Sequence, residues 1–115
     1  MKIAVSNIAW EHKYLSQYLK LLKQLGCSGV EIAPSIIWTE PTNSSIEDRK
    51  IFKDQIHKEG LEMIGFHALL FTRPDLQLFF SNESRAATID YLRKLIKLCA
   101  DLGGKQLVFG SPKNR

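Results

Sequence analysis

Long apolar runs are missing from this chain. None approaches the roughly twenty residues that a membrane span needs, so no membrane partner is expected. Cysteine is scarce: Cys27 and Cys99 are the whole supply, and neither belongs to a CxxC pair. That excludes a local zinc or redox motif and leaves nothing to build a disulfide scaffold on. A reduced, cytoplasmic setting is the simple expectation. Glycine-rich phosphate loops are also missing. Neither GxGxxG nor GxxxxGK[ST] occurs, and the turn after the first apolar run, Ser6-Asn7-Ile8-Ala9-Trp10, holds no glycine. Dinucleotide and P-loop sites are therefore not expected. A charge excess is nearly missing too. Sixteen Lys and Arg face twelve Asp and Glu, for a net +4. The bases are spread out, as in Lys20, Lys23, Lys50, Lys53, Arg93 and Lys97. That spread describes solvated helix faces, not a stripe for nucleic acid. The opening MKIAVSNIAWEHK has too short an apolar run for a signal peptide and reads better as a strand.

What the chain does have is a rhythm. At 115 residues and 44% hydrophobic it suits one globular domain. Lys2 to Ser6, Gly29 to Ala33, Leu61 to Phe66 and Gln106 to Phe109 are short apolar runs, each expected to be a strand. Leu15, Tyr18, Leu19, Leu22 and Leu25 recur at helical spacing until Gly26. A second helix is expected from about Ile46 to Glu59, capped by Ser45, with Phe52 and Ile56 inward and Gly60 closing it. A third, capped by Ser84, carries Leu92, Leu95, Ile96, Cys99 and Leu102 on one stripe. Ala68 to Asn82 is a long apolar connection, expected to fold as a flap with a short helix from Pro74. Its Phe71, Phe79 and Phe80 are expected to be packing residues.

Strand, helix, strand, helix, strand, helix, strand is half of a (β/α)₈ barrel. Continuous apolar strands belong to parallel sheets, and a flavodoxin-like open sheet would normally announce itself by the missing glycine turn. The expected fold class is α/β: about four parallel strands and three helices, the N-terminal half of a TIM barrel. Residues 1–115 would form a single partial domain, since a whole barrel takes roughly 250 residues. Gly110 to Arg115 follow the last expected strand. Open edges on the first and fourth strands would favour dimerisation or pairing with a complementary half-barrel.

A barrel does its chemistry at the C-terminal strand ends. That rule selects Asn7 and Trp10, then Glu31 and Pro34, then His67, then Gly110 and Ser111. His67 directly follows its strand, where an imidazole can orient a hydroxyl, bind a metal or move a proton. Glu31 lies between Val30 and Ile32. A carboxylate there needs a function, or an ion pair such as one with Lys2. Trp10 could stack on a sugar face or plug the mouth. His12 and His57 are expected on the surface.

These residues also resemble a known family. Gly29-Val30-Glu31-Ile32-Ala33-Pro34, Gly65-Phe66-His67 and Leu102 to Pro112 together are similar to the xylose isomerase-like barrels. The resemblance implies a sugar phosphate isomerase or epimerase that moves a proton next to a carbonyl of a sugar or sugar phosphate. It implies a divalent cofactor, manganese, magnesium or zinc, whose ligands would lie mainly on strands five to eight. His67, Glu31, Asn7, Trp10 and Ser111 would then be substrate contacts, with no catalytic base and no metal ligand in this half. The same scaffold carries inosose dehydratase-type lyases and endonuclease IV. The endonuclease places a further zinc histidine near strand four, where Phe109-Gly110-Ser111-Pro112 has none. A non-catalytic half-barrel assembly module is the alternative of another class.

Overall fold

The computed structural model describes residues 1–110 and 112–114. Four strands form one sheet in the order β1-β2-β3-β4, all parallel. They are β1 (Ala4–Ser6), β2 (Gly29–Ile32), β3 (Glu62–Phe66) and β4 (Gln106–Leu107). Between them run α1 (Leu15–Gln24), the short α2 (Pro34–Ile37), α3 (Ile46–Lys58) and α4 (Asn82–Asp101). Consecutive parallel neighbours joined by helices are the expected βαβ units.

The two faces of the sheet differ. Val30, Ile32, Met63 and Phe66 are buried in one cluster with Leu15, Leu19 and Leu22 of α1, Phe52 and Ile56 of α3, and Leu95, Leu98 and Cys99 of α4. This face carries the helices. Side chains alternate along a strand, so Glu31 takes the other face. Ser6 pairs with Glu31, and Glu31 with Gly65, which places these three positions in one row there. That second face is open: Ala4, Gln106 and Val108 are exposed.

Local chemistry explains the element ends. Gly26, Gly60 and Gly103 sit at positive φ just past α1, α3 and α4, where a side chain would be strained. Ser45 caps α3 as expected, its Oγ accepting from Asp48 N at 3.0 Å. Pro34 does more than stop β2; it opens α2 from the first turn.

Several expectations are corrected. The cap of α4 is Ser81, whose Oγ accepts from Ser84 N. Ser84 instead ties down the flap, donating to Gln77 O at 2.7 Å and accepting from Gln77 N at 3.0 Å. No helix begins at Pro74; the flap is a series of turns. Leu69, Leu70 and Leu76 anchor it in the core, while Phe71, Phe79 and Phe80 stand about four-fifths exposed instead of packing. Leu25 and Ile96 also face water: Leu25 lies just past the last residue of α1, and Ile96 sits off the buried line of Leu95, Leu98, Cys99 and Leu102.

Gly65 is required by close approach. A Cβ there would collide with the backbone carbonyl oxygen of Gln106 on β4. Gly65→Ala should therefore loosen β4. The amides of Lys105 and Val108, which donate to Ile64 O and Phe66 O, should exchange about tenfold faster or more, equivalent to ~1.4 kcal/mol. Unchanged exchange would show that β4 docks without that approach.

Candidate functional site at the strand ends

His67 is the first residue past β3, two positions beyond Gly65, and so returns to the open face. Its backbone N–H donates to Ile32 O at 3.0 Å, which fixes the strand end. Its Nε2 lies 2.5 Å from Ser6 Oγ, across β2. Ser6 Oγ also accepts from Ile8 N at 3.2 Å and caps the 3-10 turn Asn7–Ala9. Glu31 is half-buried in the row between them, and among the described residues it forms no ion pair with Lys2 or any other base. The open face thus brings a hydroxyl, an imidazole and a carboxylate together at three strand ends.

Ala68 follows His67 at φ 52, a left-handed backbone rare for a residue with a side chain. Such strain costs about 1–3 kcal/mol and collects at functional sites. Here it turns the chain away from the strand and opens a cavity of about 340 Å³ between His67, Phe71, Val108, Phe109 and Gly110.

The other candidates are placed differently. Asn7 is 2% exposed, and its side-chain amide is engaged with the Ala33 backbone. Oδ1 accepts from Ala33 N at 2.7 Å and Nδ2 donates to Ala33 O at 3.4 Å, which ties the first loop to the end of β2. Trp10 belongs to the helix-side core and stacks on Tyr18 at 5.2 Å. Its indole N–H has no partner among the described residues. Ser111 lies outside the described residues. His12 and His57 are exposed, as expected. Ser6 was missed because it reads as the last strand residue; the signal was a hydroxyl at a strand end, one position before Asn7.

A larger cleft of about 870 Å³ lies away from this row, between Glu40, Asn43, Arg73, Tyr91 and Lys94. Most of its charges are already paired, and Glu40 accepts from the Asn43 side-chain amide. Arg73 binds Asp75 at 2.9 Å and lies over the Tyr91 ring, and Lys94 binds Asp90. The Arg73 guanidinium holds the Asp75 carboxyl below its ordinary value, and burial pushes Tyr91 up. Groups satisfied by one another do not converge on a ligand, so the smaller cavity at His67 is the better site. Cys99 offers no nucleophile: burial raises its thiol, behind the sheet.

The described residues do not by themselves fit a divalent metal. No three His, Cys, Asp or Glu side chains converge among them, and the His67 nitrogen that faces the row is bonded to Ser6. Titration calorimetry of the chain with Mn²⁺ should accordingly show no tight stoichiometric site. A tight one would mean that Glu31 and His67 rearrange to bind it.

No family model matches the chain, and no curated protein matches its sequence. Solved structures do match its fold. A D-psicose 3-epimerase crystallised in the presence of D-fructose superposes with TM-score 0.71 at 18% identity, over 93% of this chain and 36% of that one. This chain is half of a (β/α)₈ barrel. A 3-keto-D-glucoside 4-epimerase from E. coli matches with TM-score 0.66 at 20% identity, over 93% and 36%. A sugar phosphate isomerase/epimerase from Parabacteroides distasonis matches with TM-score 0.71 at 19% identity, over 96% and 38%. The half-barrel spans just over a third of these chains. At such identities the likeness shows the fold. It also accounts for the open face: in a closed barrel that face is the interior. No helix among the described residues is long and apolar enough to cross a membrane.

Proposed function

We propose that this half-barrel, a single partial domain over residues 1–115, forms part of the site of a sugar isomerase or epimerase. The reaction would transfer a proton at a carbon next to a carbonyl of a sugar or sugar phosphate. The observation that carries the reading is the Ser6–His67 pair beside Glu31 on the face that becomes a barrel interior. The structural neighbours, which are sugar epimerases and an isomerase/epimerase by description, support it.

In this reading Ser6 is a positioning residue. In the tautomer where Ser6 is the donor, its proton goes to His67 Nε2 while its Oγ accepts from Ile8 N. The ring proton then sits on Nδ1, a donor for a sugar hydroxyl or carbonyl oxygen. Glu31 accepts from a second sugar hydroxyl. Asn7 and Trp10 shape the mouth from behind, and Ser111 is the proposed contact on the fourth strand end. The residues that move the proton, and any metal ligands, would come from outside this half.

Adding D-fructose to the isotopically labelled chain should shift the NMR signals of Ser6, Glu31 and His67, whereas mannitol, a similar polyol without a carbonyl, should shift them less. Shifts confined to the Glu40–Arg73–Lys94 cleft, or no shift with any ketose, would overturn the reading.

A further inference from the structure

We propose that Asn114 is a positioning residue for the His67 cavity. Its side-chain amide clasps the flap after β3 to the turn after β4, and so fixes the spacing of the two walls between which the sugar sits. The inference deepens the functional reading above and rests on it only for the sugar.

The cavity has two walls from distant parts of the chain. Residues 67–71 leave the end of β3, and residues 108–110 leave the end of β4. The first wall runs on into the flap, which is built of short turns. Phe71 N donates to Ala68 O at 3.3 Å, Arg73 N to Leu70 O at 2.9 Å and Leu76 N to Arg73 O at 3.1 Å. Burial of Leu69, Leu70 and Leu76 holds the flap down on the core. Apolar burial is non-directional, however, and does not set the distance of the flap from β4.

Asn114 sets that distance. It ends the 3-10 turn Pro112–Asn114, close behind Gly110, and is 1% exposed. Its Nδ2 donates to Arg73 O at 2.9 Å and to Leu76 O at 2.6 Å. Its backbone carbonyl accepts from Leu78 N at 3.0 Å. A side-chain amide carries two N–H donors, and here both go to flap carbonyls. Arg73 and Leu76 lie 41 and 38 residues away in sequence. These bonds therefore join the flap just beyond one wall to the turn just beyond the other. An amide buried this completely is costly without partners, so releasing the flap strands it. Each contact is made within the chain, so the clasp belongs to this half of the barrel whatever completes it.

Asn114→Asp tests the clasp by NMR of the labelled chain at neutral pH. A carboxylate keeps the shape, offers no donor and sets negative charge against two carbonyl oxygens. The amides of Arg73, Leu76 and Leu78 should exchange about tenfold faster or more. The His67 amide, bonded to Ile32 O, should keep its protection. Without any sugar, the ring signals of His67 and Phe71 should shift, because their wall moves. In the fructose titration, the dissociation constant read at Ser6 and Glu31 should rise about tenfold or more, since the site is no longer preorganised. Lys113→Ala, at the exposed neighbour, should change none of these. If Asn114→Asp does not fold, Asn114→Ser, which keeps one donor, should give the same changes at smaller size. Parent-like flap exchange or parent-like ring signals would overturn the proposal. So would a loosened flap with unchanged fructose affinity, which would make Asn114 a brace for the flap alone. A parent chain that ignores fructose would instead sink the sugar reading, and the exchange and ring signals, which need no sugar, would still decide the clasp.

Discussion

His67→Ala should lower kcat/KM of the complete barrel toward the proposed sugar substrate by about tenfold or more. The basis is one hydrogen bond to a reacting or charged group, about 1.5–3 kcal/mol. Ser6→Ala should act in the same direction but less, because it removes only the group that orients the ring, 2.5 Å from Nε2. The two substitutions should also be non-additive, since Ser6 works through His67. His57→Ala should change nothing; that ring is exposed in the last turn of α3. The control for folding is the backbone bond from His67 N to Ile32 O, which alanine keeps. Wild-type kinetics from a folded His67→Ala protein would remove the residue from the site and leave Glu31 as the candidate.

The sequence carried the periodic elements and lost the long-range ones. Apolar runs bounded by glycines located β2 and β3 to within a residue, because a buried parallel strand tolerates little else. Ser45 was legible because its cap is made three residues away. Ser84 reads as the cap of α4 on the same kind of signal, yet Ser81 makes that cap. Only the fold decides between them, by giving the Ser84 hydroxyl to Gln77 in the flap. His67 could be found from its strand end alone. Its partner Ser6 lies 61 residues away, and no local pattern announces that contact. Asn7 reads as a mouth amide for the same reason: the backbone of Ala33 that engages it is 26 residues distant. The flap phenylalanines read as packing residues by their apolarity alone, but they stand exposed. An apolar side chain on a surface loop need not be covered.

Arg49→Ala should destabilise the chain by about 3 kcal/mol, lowering Tm by on the order of 15 °C for a domain of this size. Arg49 is 7% exposed near the start of α3, yet nothing local in the sequence marks it. Its guanidinium donates from Nε to Ser44 Oγ at 2.9 Å, from Nη1 to Asp101 Oδ2 at 2.8 Å and from Nη2 to Thr42 O at 3.2 Å. One side chain thus joins the loop after α2, the start of α3 and the end of α4, and alanine would leave those acceptors without their donor. Arg49→Lys should recover only part of the loss, because an ammonium cannot match the planar fork. The acid response distinguishes the ion pair from simple packing. The hydrogen bond from Arg49, aided by Lys97, holds the Asp101 carboxyl below its ordinary value. A carboxylate depressed in the folded state adds stability above its unfolded pKa and loses it as pH falls through the folded value. Asp101 is about a third exposed, so the contribution is modest. Melts of the parent should therefore fall more steeply below about pH 4 than melts of Arg49→Ala, in which only Lys97 is left to depress Asp101. The exposed Arg73–Asp75 pair is present in both proteins and cancels in the comparison. Parallel acid curves, offset by the same amount at every pH, would show that Arg49 stabilises the junction through its neutral acceptors and packing, without the charge on Asp101.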